Sequence, residues 1–331
     1  MKMKTMPRIK IGNLPTKIHR LDRLTEMFDG PQLYIKRDDK KRIAFGVNKV
    51  RQLEFLMADA VNNGAELIIT SGNLQSNHIR QTVSTAARFG LKPVVVITEA
   101  ESKIPEDCYL FKESYRTEMY LINVTNEDSV QKIANICDEK VQEIKKYYEN
   151  KGMKACIIPR KIEGTPTGVC DLLEISKQIK QKKLNINYIV KAVDSANAYS
   201  AFLLANKLFK TGLRSIGISV SNEAEKDRWQ VFKQFDEAKK HLGLDIEIKE
   251  EEIQIFNSIG YNCVLPNEPG VHAIKLLADK EAIFLDHYHT GKAMAGLFNL
   301  IKKGYFQKDD GVLFLHPGEL PALFAQENNL L

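Results

Sequence analysis

The chain has 331 residues, 44% hydrophobic and 27% charged, with a formal charge of +6, which suits a soluble globular protein long enough for two α/β domains. The charge is mild and mixed, as in "EAEKDRWQVFKQFDEAKK", which reads as a solvated helix face and not as a nucleic-acid surface. No apolar run approaches the roughly 18–20 residues of a membrane span. The start, "MKMKTMPRIKIGNLP", has no apolar signal-peptide core, so the expected location is the cytoplasm.

In chain order, "PQLYIKRD" reads as a strand. Residues 50–62 read as a helix, with Val50, Leu53, Leu56, Met57 and Val61 near one face. "AELIIT" has the continuous apolar character of a buried parallel strand. "SNHIRQTVSTAARFG" reads as a helix capped by Ser76 and stopped at Gly90. "PVVVIT" and "MYLINV" are strands, residues 126–150 a long polar helix, and "KACIIP" another strand. A second series follows: "INYIVKAV", helix 199–212, "RSIGISV", a charged helix over 222–243, helix 270–279, "AIFLD", helix 291–303 and "GVLFLHPG". Such alternation predicts mostly parallel sheets covered by helices, in two α/β domains with a ligand cleft between them.

Loops at the carboxyl ends of parallel strands carry the chemistry of open α/β folds. The candidates are "FGVNKVR" with Lys49, "TSGNLQSNHIRQ", "DSANAYSAF", and the late group "GYNCVLPNE", "LDHYHTGKAMAG" and "LHPGELPALF". The second is dense in short hydrogen-bonding groups at a helix start, where main-chain N–H groups can hold a carboxylate; the bland alternative is an N-cap with a polar turn. His287 and His289 lack a third ligand in the pattern, and no metal is expected. The five cysteines (Cys108, Cys137, Cys156, Cys170 and Cys263) are scattered and odd in number, with no CxxC, so neither a disulfide framework nor a zinc site is suggested. GxGxxG, GxxxxGK[ST] and GxSxG motifs are absent, against dinucleotide, P-loop and hydrolase readings.

The stretch "YIKRDDKKRIAFGVNKVRQLEFLMADAVNNGAELIITSGNLQSNHIRQTVSTAARFGLKPVVVI" resembles the pyridoxal-phosphate enzymes of the D-cysteine desulfhydrase and 1-aminocyclopropane-1-carboxylate (ACC) deaminase family. These read KRDD, GGNK[TV]R-LEF, then QSNH or QSNQ followed by an arginine. The resemblance resumes in "AIKLLA", "TGKAMAGL" and "PALF" and covers most of the chain. It implies the tryptophan synthase β-like fold, type II among pyridoxal-phosphate enzymes: α/β, with two three-layer αβα domains and mostly parallel twisted sheets. The expected smaller domain is 52–160, carrying the substrate-carboxylate loop. The larger is 1–51 plus 161–331, carrying the lysine and the cofactor phosphate region.

By this resemblance the cofactor is pyridoxal 5'-phosphate. Lys49 forms the Schiff base with its aldehyde and moves the α-proton, and Ser76 takes part in proton transfer. Such an amine must at times be neutral, which a desolvated lysine at a helix mouth allows. Asn48 and Asn77 steer the cofactor ring. Ser195, Asn197, Ser200 and the helix start hold its phosphate, and Glu319 meets its pyridine nitrogen. Gln75, Ser76, Asn77 and His78 hold the substrate carboxylate, with Cys263, Tyr288 and His289 also at the substrate. The partner is a small amino acid, the assembly a homodimer, and neither nucleic acid nor membrane is involved.

The departures concentrate in the site. The family's GSGGT phosphate loop is here "DSANA": Asp194 adds a negative charge, Ala196 and Asn197 replace glycines and Ala198 the threonine. Like charges at short range cost several kcal/mol where water is excluded. His289 and Cys263 stand where the family has tyrosines, and "HPGE" replaces HTGG. The expected activity is a lyase that removes an α-proton and then eliminates a β-substituent or deaminates. A β-replacement synthase, or a binding or scaffold protein that has lost the cofactor, are the alternatives.

Overall fold

The computed structural model describes residues 7–41, 43, 49–73, 76–99, 116–125, 129–159, 165–194, 196–221, 223–259 and 268–318. The chain divides into two compact units, Met1–Gly12 with Arg42–Ile162, and Asn13–Lys41 with Glu163–Leu331. Residues 1–12 and 42–51, which the sequence reading grouped with the larger domain, thus cluster with the smaller unit, Lys49 among them.

The second unit opens with β1 (Ile18–Arg20), α1 (Asp22–Phe28) and β2 (Gln32–Arg37). The first unit then runs α2 (Val50–Asn62), β3 (Leu67–Gly72), α3 (Asn77–Arg88), β4 (Lys92–Glu99), β5 (Glu118–Asn123), α4 (Val130–Asn150) and β6 (Ala155–Ile157). Its sheet has the order β5-β4-β3-β6, every pairing parallel. Leu67, Ile69, Val94 and Val96 share the face covered by Val141, Ile144 and Tyr148 of α4. Ile68 packs with Val50, Leu53 and Met57 of α2, and Val95 and Ile97 with Ile79 and Val83 of α3. With both faces covered, the strands read as apolar runs without alternation.

The stripe on α2 differs from expectation at its end. Val61, in the last turn, is exposed, and Ala60 takes the packing position. Glu54 is also buried on this helix; its carboxylate accepts from Arg8 Nε (2.7 Å) and from the main-chain N–H groups of Ile11 and Gly12 (3.1 and 3.2 Å), which tethers the N-terminal segment.

The second unit resumes with α5 (Thr165–Lys182), β7 (Tyr188–Val193), α6 (Ala196–Phe209), β8 (Arg214–Ser219), α7 (Ala224–His241), β9 (Gln254–Asn257), α8 (Glu268–Glu281), α9 (Thr290–Lys302) and β10 (Gly311–His316). The sheet order is β1-β2-β10-β7-β8-β9, parallel except for β1 against β2. Apolar residues of α1, α8 and α9 cover one face, and those of α5, α6 and α7 the other. The chain runs outward from β7 to β9 and then inserts β10 on the opposite side of β7, so the strand order reverses there. Open α/β sheets bind ligands at the carboxyl ends of strands beside such a reversal.

Two differences bear on this unit. Ala282–Asp286, expected as a strand, pairs with no strand among the described residues; β9 takes the sheet edge instead. Ile283 and Leu285 are buried while Phe284 is exposed, so the segment alternates like a strand although it is a connector. Helix α6 starts at Ala196, three residues before the expected position. The sequence Ala-Asn-Ala has alanines where glycines would break the helix, and alanine favours helix. The turn after β7 is correspondingly short.

Candidate active site

In the first unit Lys49 stands at the N-cap of α2, half-buried, and its carbonyl accepts the first helical hydrogen bond from Leu53 N (2.9 Å). At the carboxyl end of β3, Ser76 caps α3: its Oγ accepts from His78 N at 3.2 Å. The hydroxyl hydrogen of Ser76 therefore points away from that bond and is available as a donor. Asn77 Oδ1 accepts from Arg80 Nη2 at 2.5 Å, which brings a guanidinium beside the helix start.

His78 is the residue of this loop expected at the substrate carboxylate together with Gln75, Ser76 and Asn77. It is buried, and its Nε2 lies 2.8 Å from Thr70 Oγ1, whose hydroxyl donates to the Ile158 carbonyl at 2.8 Å. With that proton committed, Nε2 is the donor. The imidazole thus pins α3 to β3. Asn48, Gln75, Ser195, Cys263 and Glu319 lie outside the described residues.

In the second unit the turn before α9 is built on Asp286, which is fully buried. Its Oδ1 accepts from the N–H groups of Tyr288 (2.9 Å) and His289 (2.7 Å), and its Oδ2 from Thr290 N (3.0 Å) and the Thr290 hydroxyl. Thr290 Oγ1 in turn accepts from Asp286 N at 2.9 Å. Burial alone would raise the Asp286 carboxyl; the hydrogen bonds and charge of His289 and the Thr290 hydroxyl overcome it and hold the group at about 2. Gly291 allows the close approach, since a Cβ there would sit 2.7 Å from the Asp286 carbonyl oxygen.

The His289 ring lies between two carboxylates. Nδ1 is 3.6 Å from Asp286 Oδ1, and Nε2 is 3.5 Å from Asp194 Oδ1, in the turn after β7. Asn197 and Ser200 sit in the first turns of α6, where Ser200 Oγ, buried, donates to the Asn197 carbonyl at 3.2 Å. His287 is 2% exposed, and burial lowers its pKa against the opposing pull of Asp286. At the end of β10, His316 is buried with Nε2 4.0 Å from Asp39 Oδ2, itself held by Arg37 at 2.7 Å. Burial lowers the His316 pKa as well, against Asp39 and Asp286.

Sequence reasoning singled out His287 and His289 but missed Asp286, Thr290, Asp39 and His316. The signal for the first two was present: an aspartate followed four residues later by threonine, just ahead of an apolar helical run, has the form of a helix-start cap. Nothing local marks Asp39 and His316, which meet because β2 and β10 are neighbours.

The sequence pattern of the family described as pyridoxal-phosphate dependent enzyme matches residues 9–318. The chain is 33% identical to D-cysteine desulfhydrase of Salmonella paratyphi A over 96% of this chain and 96% of that protein, and equally so to that of Salmonella paratyphi C. In fold it is similar to the crystal structure of an ACC deaminase homologue, with a TM-score of 0.80, 24% identity and coverage of 98% and 96% of the two chains. O-Ureido-L-serine synthase shares the fold more distantly, with a TM-score of 0.64, 14% identity and coverage of 95% and 92%. The match over nearly the whole length, with a lysine opening α2 and a capped polar loop opening α3, makes this chain a member of the pyridoxal-phosphate dependent enzyme family.

Proposed function

We propose that this enzyme is a lyase that removes the α-proton of a small amino acid and expels its β-substituent, with D-cysteine as the leading substrate. The likeness to D-cysteine desulfhydrase over 96% of the chain carries the reading. The residues present fit the cofactor. In the first unit, Lys49 offers a primary amine for an aldehyde. In the second, the start of α6 offers main-chain N–H groups for a phosphate. The buried His287, with neither ring nitrogen hydrogen-bonded among the described residues, suits a site that takes up a further polar molecule.

Bound pyridoxal phosphate supplies an electron sink that makes the α-hydrogen of an attached amino acid acidic. Lys49 Nζ, as the neutral amine, takes that proton. Ser76 and the N-terminus of α3, with Gln75 and Asn77, hold the substrate carboxylate, and the Arg80 guanidinium beside Asn77 adds positive charge there. His78 keeps the start of α3 fixed on β3. Asn48 and Asn77 steer the cofactor ring, Ser195, Asn197 and Ser200 its phosphate, and Glu319 its pyridine nitrogen, while Cys263, Tyr288 and His289 face the substrate. With D-cysteine the Cβ–S bond breaks, sulfide leaves with the electron pair, and water completes the conversion to pyruvate and ammonia without an oxidant.

The test is spectroscopic and chemical. Purified protein given pyridoxal phosphate is expected to show the absorbance band of lysine-bound cofactor, to lose it in Lys49→Ala, and to release pyruvate, sulfide and ammonia from D-cysteine in equal amounts. A band without pyruvate from D- or L-cysteine, β-chloroalanine or D-serine refutes the lyase. A folded protein without the band refutes the cofactor assignment and favours a binding role. The homodimer and the cytoplasmic location belong to the same proposal and are open to sedimentation and cell fractionation.

A further inference from the structure

The short turn after β7 carries an apparent contradiction. Its helix, α6, presents the partial positive charge of an N-terminus, roughly half an elementary charge, yet Asp194 places a full negative charge at the same point. The structure supplies an answer. His289 Nε2 lies 3.5 Å from Asp194 Oδ1, and its other ring nitrogen lies 3.6 Å from Asp286 Oδ1. A neutral imidazole has one N–H and can serve only one carboxylate; a ring that faces a carboxylate at each nitrogen is matched to both only as the imidazolium.

The backbone fixes this orientation. His289 N donates to Asp286 Oδ1 at 2.7 Å, and Gly291 N donates to the Asp286 carbonyl at 2.9 Å. The Asp286 carboxylate is already engaged by three main-chain N–H groups and the Thr290 hydroxyl, so its charge is largely spent inside the turn. The charge of a protonated His289 would thereby be directed at Asp194. The neighbouring ionisable groups are His287 in the same turn and, at the ends of β10 and β2, His316 with Asp39 and Arg37.

We infer that His289 is a positioning residue for the cofactor phosphate: it holds Asp194 and neutralises it, so that the glycine-poor turn opening α6 can accept a phosphate monoester. This rests on the cofactor assignment above and deepens it, giving a second task to a residue otherwise read as facing the substrate. Without the ring, the negative charge of Asp194 would oppose the dianion; with it, the start of α6 regains its attraction for an anion.

The experiment compares pyridoxal phosphate with pyridoxal, which keeps the aldehyde and lacks the phosphate, by equilibrium binding at fixed pH and ionic strength. Wild type, His289→Gln, Asp194→Asn and the double variant are measured. His289→Gln is expected to raise the Kd for pyridoxal phosphate by about threefold to fivefold, as one partly exposed charge contact warrants. Pyridoxal binding should change by less than about twofold, within the tolerance of non-coupled changes. Adding Asp194→Asn should restore phosphate-dependent affinity. Equal weakening of both ligands in His289→Gln, or no rescue by Asp194→Asn, overturns the inference while the cofactor assignment stands. Wild-type protein that binds neither ligand overturns both, and retained pyridoxal binding shows that each variant is folded.

Discussion

Two charge-rich stretches of similar composition meet opposite fates. In "KRDDKK", residues 36–41, Lys36 and Lys41 are only 1% and 2% exposed. Lys36 Nζ reaches Glu174 Oε1 at 2.5 Å, Asp38 Oδ1 at 3.2 Å, the Thr16 carbonyl at 2.8 Å and the Thr16 hydroxyl, while Lys41 binds the other oxygen of Asp38 at 2.7 Å. In "EAEKDRWQVFKQFDEAKK", over residues 223–240, the pairs run along the outer surface of α7, as Asp236 with Lys240 at 2.5 Å and Lys226 with Glu223 at 2.8 Å. Charge content alone does not separate the two. The difference lies in the partners: the first set is closed by Thr16, Glu174 and Gln178, remote in sequence, while the second is closed by residues three or four positions away on one helix.

The largest effect is expected on breaking the closed set. Lys36→Met removes a buried cation that pairs with both Glu174 and Asp38, and should cost about 3–5 kcal/mol of unfolding free energy. Urea denaturation measures it; a loss well below about 1 kcal/mol would mean that the network is solvated like a surface pair.

An intermediate effect is expected at Glu118 in β5, which is partly exposed. Burial raises its carboxyl, but hydrogen bonds from Lys92, Tyr120 and Tyr148 prevail and hold it at about 2 against an ordinary 4.5. A depressed carboxyl contributes stability that is full above 4.5 and lost as pH falls from there towards 2. Glu118→Gln should remove that part of the acid sensitivity and cost about 1 kcal/mol or less near neutrality after solvent screening. Thermal unfolding at pH 6 and at pH 3 separates the two; an unchanged pH dependence would show that Glu118 carries no such linkage. The smallest effect is expected at Asp236→Asn on α7, whose unfolding midpoint should match wild type within error and stay so on adding salt.

The same contrast explains what could be read beforehand. The strands of both sheets other than β1 and β9, the Ser76 cap and the stop at Gly90 are local in origin, set by apolar runs and capping chemistry, and they stand where the sequence places them. Lys49 at the mouth of α2 was equally legible. What escaped depends on neighbours far along the chain. Helix α5 supplies Glu174 and Gln178 to Thr16. β9, four residues long, takes a sheet edge that "AIFLD" seemed suited to fill on local pattern. His78, set among polar neighbours in sequence, is joined to Thr70 on the preceding strand. The Asp194 charge read as an obstacle because His289, 3.5 Å from it, arrives from another loop.

The placement of β10 has a consequence for biosynthesis. Gly311 pairs with Gln32 and Val312 with Tyr188, so the last strand forms the middle of its sheet. The first unit's sheet needs nothing beyond Ile157 and can close while translation continues. The other sheet keeps β2 and β7 without their shared neighbour until β10 has been made. Such long-range closure slows folding and leaves strand edges unpaired in the meantime.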